Sequence, residues 1–109
     1  MENSLPPEKS QLAINDIEIR KARLVLRALN HKLRQRILQY IHSKKETPVT
    51  PLYETLGLEQ SVASQHLAIL RKAGFVTTRR DGKQVYYCVN YLRIDEVQAL
   101  VNNFLAISK

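Results

Sequence analysis

The side chains of this chain best equipped for chemistry fall in one short stretch, "LEQSVASQHLAILRKAGFV" (residues 58–76), which opens with Gln60, Ser61, Ser64, Gln65 and His66. Amide and hydroxyl groups both donate and accept hydrogen bonds, so a row of them at the front of a helix suits a surface of mixed donors and acceptors, such as the base edges of a DNA groove. Just downstream, Arg79, Arg80 and Lys83 flank Asp81-Gly82, and cations gathered at a chain reversal suit phosphate. Plainer uses exist for each group: Gln60 and Ser61 as helix caps, His66 as a packed imidazole, the cations as solvated surface.

Other chemistries fit less well. No nucleophile, base and orienting group stand at a recognisable spacing, so an enzyme is not expected. His31, His42 and His66 are dispersed, without the short ligand spacing of a zinc site, and no metal or other cofactor is expected. The single cysteine, Cys88, cannot form an internal disulfide and reads as a small hydrophobe in a strand.

Composition points toward a polyanion. The 109 residues suffice for one core and carry a net charge of +7, with 44% apolar and 25% charged residues. The pI is about 9.8, and excess cationic charge favours nucleic acid first and acidic membrane surfaces second. Residues 20–45 hold nine Lys or Arg and no acid. No apolar run approaches the roughly 20 residues that cross a bilayer, and "MENSLPPEKS" lacks the layout of a secretory signal. A cytoplasmic protein without membrane contact is the expectation.

The elements that must position these groups follow from hydrophobic period and punctuation. Residues 1–10, with adjacent Pro6 and Pro7, read as a mobile arm, and residues 11–109 as one domain. Leu12, Ile14, Ile17, Leu24, Leu26, Ala28 and Leu29 give a first helix whose apolar coverage is broad enough to imply burial on more than one side. Asn30 is the predicted N-cap of a second helix through about Lys44, with Leu33, Ile37, Leu38 and Ile41 facing inward. Thr50-Pro51 has the chemistry of a third helix start, Gly57 of its end.

A fourth helix opens near Glu59 or Gln60, buries Val62, Ala63, Leu67, Ile69, Leu70 and Ala73, and ends at Gly74. Two helices joined by a short glycine-containing turn form a helix-turn-helix. The period then drops to two: "FVTTRR" and "KQVYYCV" predict a hairpin turning on Asp81-Gly82, which sets Arg80 opposite Lys83 and Arg79 opposite Gln84. Val97, Leu100, Val101, Phe104 and Leu105 predict a last amphipathic helix with Asp95 and Glu96 in its first turn. The sum is a mainly α chain of five helices with a β-hairpin wing, a winged helix-turn-helix (α+β).

At this point the motifs become specific. Ala28, Leu29, Arg34, Ile37 and Leu38, then Ser64, His66, Leu67, Leu70, Ala73, Gly74, Phe75 and Val76, then Arg80, Gly82 and Tyr87, match in order and spacing. Over about residues 28–89 the chain resembles the ArsR family of small bacterial winged-helix repressors. The resemblance implies a homodimer on double-stranded DNA, recognising an inverted-repeat operator, and the chemistry of the side chains makes Gln60, Ser61, Ser64, Gln65, His66, Arg79, Arg80 and Lys83 the expected DNA-facing residues. It also implies dimerisation through the first and last helices, where Leu12, Ile14, Ile17, Leu24, Val97, Leu100, Val101 and Phe104 supply the apolar surface.

The resemblance stops at the sensor. "VTPLYETLG" has no cysteine pair before the recognition helix, and the last helix has no histidine, so the family's metal and dithiol sites are expected to be absent and the inducer is not identified. A winged helix that binds an acidic protein partner is the competing reading. The polar front of the fourth helix and the cations of the hairpin favour DNA over it.

Overall fold

The structure, a computed structural model, describes residues 12–108. Five helices and three short strands follow in the order α1 (Asp16–Leu29), α2 (Lys32–Lys44), β1 (Glu46–Thr47), α3 (Val49–Leu56), α4 (Gln60–Lys72), β2 (Val76–Asp81), β3 (Gln84–Val89) and α5 (Tyr91–Ser108). The expected arm at residues 1–10 lies outside the described residues.

Helix boundaries follow local hydrogen bonding, and several differ from expectation. Helix α1 begins only at Asp16, because Asn15 accepts a hydrogen bond from the Glu18 amide at 3.0 Å and caps it, so Leu12 and Ile14 precede the helix. Asn30 does not open α2. Its amide donates to Leu26 O and it closes α1, while His31 stands at the start of α2 without a side-chain cap. Helix α3 starts at Val49, ahead of the predicted Thr50 cap, which leaves Pro51 in the first turn where its missing N–H costs no helical bond. Helix α5 starts four residues before Asp95, at Tyr91. The device there is Asn90, whose Oδ1 accepts from the Arg93 amide at 3.2 Å while its Nδ2 donates to Gly74 O at 3.0 Å.

The helix-turn-helix is built as its sequence suggests. Gly57 has φ +67°, a left-handed conformation that costs a glycine little. It permits Leu58 N to donate to Tyr53 O and Gly57 N to Glu54 O, the paired bonds that terminate a helix cleanly. Ala63, Leu67 and Leu70 then bury the inner side of α4 in a core that includes Ile37, Ile41, Leu52, Phe75 and Val76. Ile69, predicted to join them, is exposed. It lies on a groove between α1 and α4 shared with Leu24, Val25 and Ala28.

The hairpin carries one register correction. Asp81 pairs with Gln84, Arg80 with Val85 and Arg79 with Tyr86, so the two-residue turn is Gly82-Lys83 and not Asp81-Gly82. That register decides it, and the backbone fits: Gly82 has φ +62°, while Asp81 and Lys83 do not enter that region. Glycine alone at the first central position is the pattern of a type II′ turn. The Arg80–Lys83 confrontation is thereby removed, and Lys83 sits at the tip. A third strand, β1, pairs antiparallel with β3, giving the order β1-β3-β2. At two residues it is too short to leave an alternation in the sequence.

The described chain is elongated, 60 × 25 × 23 Å. Along α1 and α5, Ile17, Ile19, Leu24, Leu26, Leu100 and Leu105 are exposed. A groove of about 1000 Å³ between the two helices is lined by Ile19, Val25, Leu26, Val97, Leu100 and Phe104, among others.

Candidate nucleic-acid interface

Of the predicted groove-reading residues, Gln60, Ser61, Ser64 and Gln65 are all exposed in the first turns of α4. Ser61, Ser64, Gln65 and Ala68 are spaced to share one side of the helix, opposite the buried Ala63, Leu67 and Leu70. The polar row is therefore presented outward by a helix seated on the core. Arg71 and Lys72 follow in its last turn, where they also complement the helix dipole.

His66 is placed differently. Its ring is half-buried, and Nδ1 lies 3.2 Å from Arg34 Nη1. A guanidinium only donates, so Nδ1 accepts and the ring proton sits on Nε2. Burial, reinforced by His31 and Arg34, pushes the His66 pKa below its ordinary value, and the His31 ring packs against it with centroids 4.9 Å apart. The imidazole belongs to the mounting of α4 as a neutral group.

Arg34 has a role that the sequence did not disclose, since it stood there as one of nine basic residues and as a motif position with no task assigned to it. It is buried, with Nε donating to Ala28 O at 2.8 Å and Nη2 to Arg27 O at 3.1 Å. One side chain on α2 thus satisfies carbonyls at the end of α1 and holds His66 on α4. Burial lowers its pKa, with Arg27 contributing, but a guanidinium stays charged.

The His66 shift has a stability consequence. Its folded pKa lies below the unfolded value near 6.5, so the unfolded chain binds the extra proton and stability falls as pH drops through 6.5 toward the folded pKa. Thermal melts between pH 7.5 and 5.5 should show a decline that flattens in His66→Asn. A variant as acid-sensitive as the parent would assign the decline to other groups.

On the wing, Arg80 and Lys83 are exposed at and beside the turn. Arg79 is engaged: Nη2 donates to Glu46 Oε1 at 2.7 Å, Nε donates to Glu46 Oε2 at 3.1 Å, and the guanidinium lies 4.6 Å from the Tyr86 ring centroid. Glu46, on the unpredicted β1, was not legible as a partner. Cys88 is half-buried with its thiol directed at Glu46 Oε2, 3.8 Å away. Burial first, then the Glu46 charge, raises its pKa and keeps it a protonated, weakly nucleophilic thiol. Among the described residues no group of three or more His, Cys, Asp or Glu could hold a metal ion, and no helix is long and apolar enough to cross a membrane.

The residues expected at a dimer contact divide in two. Leu12, Ile14, Ile17, Leu24, Leu100 and Phe104 are exposed, whereas Val97 is buried within the chain itself and Val101 is half-buried against the core. Ile19, which was not named in advance, and Leu26, named among the apolar residues of the first helix but not as a dimer contact, join the exposed group.

Comparison with known proteins agrees with this geometry. Residues 29–79 match the family described as "Helix-turn-helix domain". An uncharacterized HTH-type transcriptional regulator of Mycobacterium tuberculosis is 36% identical over 80 residues, 73% of this chain and 70% of that one. The transcriptional repressor PagR of Bacillus anthracis is 33% identical over 79 residues, 72% of this chain and 78% of its own length. Among solved structures, NolR from Sinorhizobium fredii superposes with a TM-score of 0.65 at 33% identity, covering 97% of this chain and 96% of NolR. With a polar helix presented outward beside a basic wing and relatives of this kind across most of its length, the chain belongs to the helix-turn-helix transcriptional regulators, DNA-binding proteins and not enzymes.

Proposed function

We propose that the chain is a homodimeric, ArsR-type repressor that binds an inverted-repeat operator, each α4 entering a major groove and each wing meeting the adjacent backbone or minor groove. The observation that carries this reading is the outward row Ser61, Ser64 and Gln65, with exposed Gln60 at the helix start, on a helix whose opposite side is buried, beside exposed Arg80 and Lys83. Amide and hydroxyl groups there read base edges, and the wing cations hold phosphate. Apolar surface along α1 and α5 supplies the contact between copies. The name of PagR as a repressor supports the sign of regulation. With no cysteine in "VTPLYETLG" and no histidine on α5, control does not run through the family's metal or dithiol sites.

The test is binding to duplexes selected from a random pool, followed across salt concentrations. Affinity should fall steeply with salt. Arg80→Ala should weaken every duplex about equally, by roughly five- to tenfold, and reduce the salt slope by about one. Gln65→Ala should instead change which base is preferred at one position, by about tenfold. Binding to no duplex, or binding indifferent to salt, would refute the assignment.

A further inference from the structure

We propose that Glu46 is a positioning residue for the wing: bridged to Arg79 across the central strand, it fixes the hairpin against the body, and Arg79 serves that brace and not phosphate. The inference rests on the proposed function, because it concerns how the wing is held for DNA.

The strand order β1-β3-β2 puts Glu46 and Arg79 on the two outer strands. Glu46 pairs with Cys88 and Arg79 with Tyr86, both on β3. Side chains alternate along strands, so these four project from one side of the sheet, opposite the buried Thr47, Val76 and Val89. The Arg79 guanidinium passes over the Tyr86 ring and ends in both oxygens of Glu46. One side chain therefore ties all three strands together.

The wing needs such a tie. A two-stranded hairpin is marginal by itself, and among the described residues the only strand that joins this one in the sheet is two residues long. Exposed ion pairs are commonly weak, but two-point arginine–carboxylate geometry is where they count. Here the pair is also stacked on an aromatic ring, and its two side chains are 49% and 40% exposed. Arg79 holds the Glu46 carboxyl below its usual range, so the bridge persists through mildly acid pH.

Brace and simple electrostatics predict opposite signs. Glu46 is an acid beside a surface meant for a polyanion, so on charge alone its removal tightens DNA binding. The brace predicts weakening. Three variants of the full chain decide it: Glu46→Gln, Arg79→Ala and the exchange Glu46→Arg with Arg79→Glu. Affinity is measured against salt on a duplex selected by the wild-type chain, and amide hydrogen exchange of β2 and β3 is measured without DNA.

Glu46→Gln and Arg79→Ala should each weaken binding two- to fivefold with an unchanged salt slope, and each should speed exchange in the hairpin. The exchange variant should recover most of the affinity. Tighter or unchanged binding by Glu46→Gln overturns the proposal, whatever the exchange data show. So does a salt slope reduced by about one in Arg79→Ala, the mark of a lost phosphate contact. If the wild-type chain selects no duplex, the functional assignment fails separately, and hairpin exchange in Glu46→Gln alone judges the brace.

Discussion

Leu100→Asp is expected to turn the proposed dimer into a folded monomer and to lower affinity for a two-half-site operator by about 100-fold or more. Leu100 is 68% exposed on α5 and lines the groove with Ile19 and Leu26 of α1. Covering such a leucine contributes roughly 1.5–3 kcal/mol, whereas a carboxylate there must be stripped of water without a partner. The substituted position lies outside the core of the single chain, so the circular dichroism spectrum should change little, while the thermal transition should fall by what the partner copy contributes and lose its dependence on protein concentration. DNA binding changes much more, because two reading helices held in one particle convert the second half-site contact into an intramolecular event, an advantage of about 10²–10⁴. Sedimentation would report the monomer, and a duplex with one half-site would bind parent and variant equally. A dimer that survives the substitution, or undiminished operator affinity, would place the contact on another surface.

What the sequence disclosed, and what it withheld, divides along physical lines. Features set by neighbouring residues were legible: Gly57 ending α3, the inner stripe Ala63, Leu67 and Leu70, and two strands about a tight turn. The outward polar row of α4 follows from that stripe, since fixing one side of a helix fixes the other. Competition between adjacent signals was harder to read. Asn30 is a good N-cap, but as placed it closes α1, and Asp81-Gly82 has the composition of one turn while the backbone uses Gly82-Lys83. Partnerships over long sequence distances left no trace. Glu46 and Arg79 are 33 residues apart and Arg34 and His66 are 32 apart. In both pairs the composition showed only an arginine among many, and the fold decided which arginine faces solvent and which is spent inside.

Arg34→Met should then cost the fold about 2 kcal/mol, a fall of roughly 10 °C in melting temperature for a domain of this size. Methionine keeps most of the volume but donates nothing, so Ala28 O and Arg27 O at the end of α1 lose their donor and His66 loses its partner. Opposing this is the gain from no longer burying a cation that has no carboxylate beside it among the described residues, and in other proteins apolar replacement of buried charge is sometimes neutral. The bonds are expected to prevail because Arg34 fills three separate acceptors on two neighbouring helices. The shift in melting temperature decides between the terms, and a variant as stable as the parent would show that desolvation cancels the bonds. A double cycle with His66→Ala isolates the α2–α4 link: the two losses should sum to more than the double variant shows, since each single change already breaks the same bond. Operator affinity should fall further than global stability alone accounts for, because Arg34 connects the end of the proposed dimer helix to the middle of the reading helix.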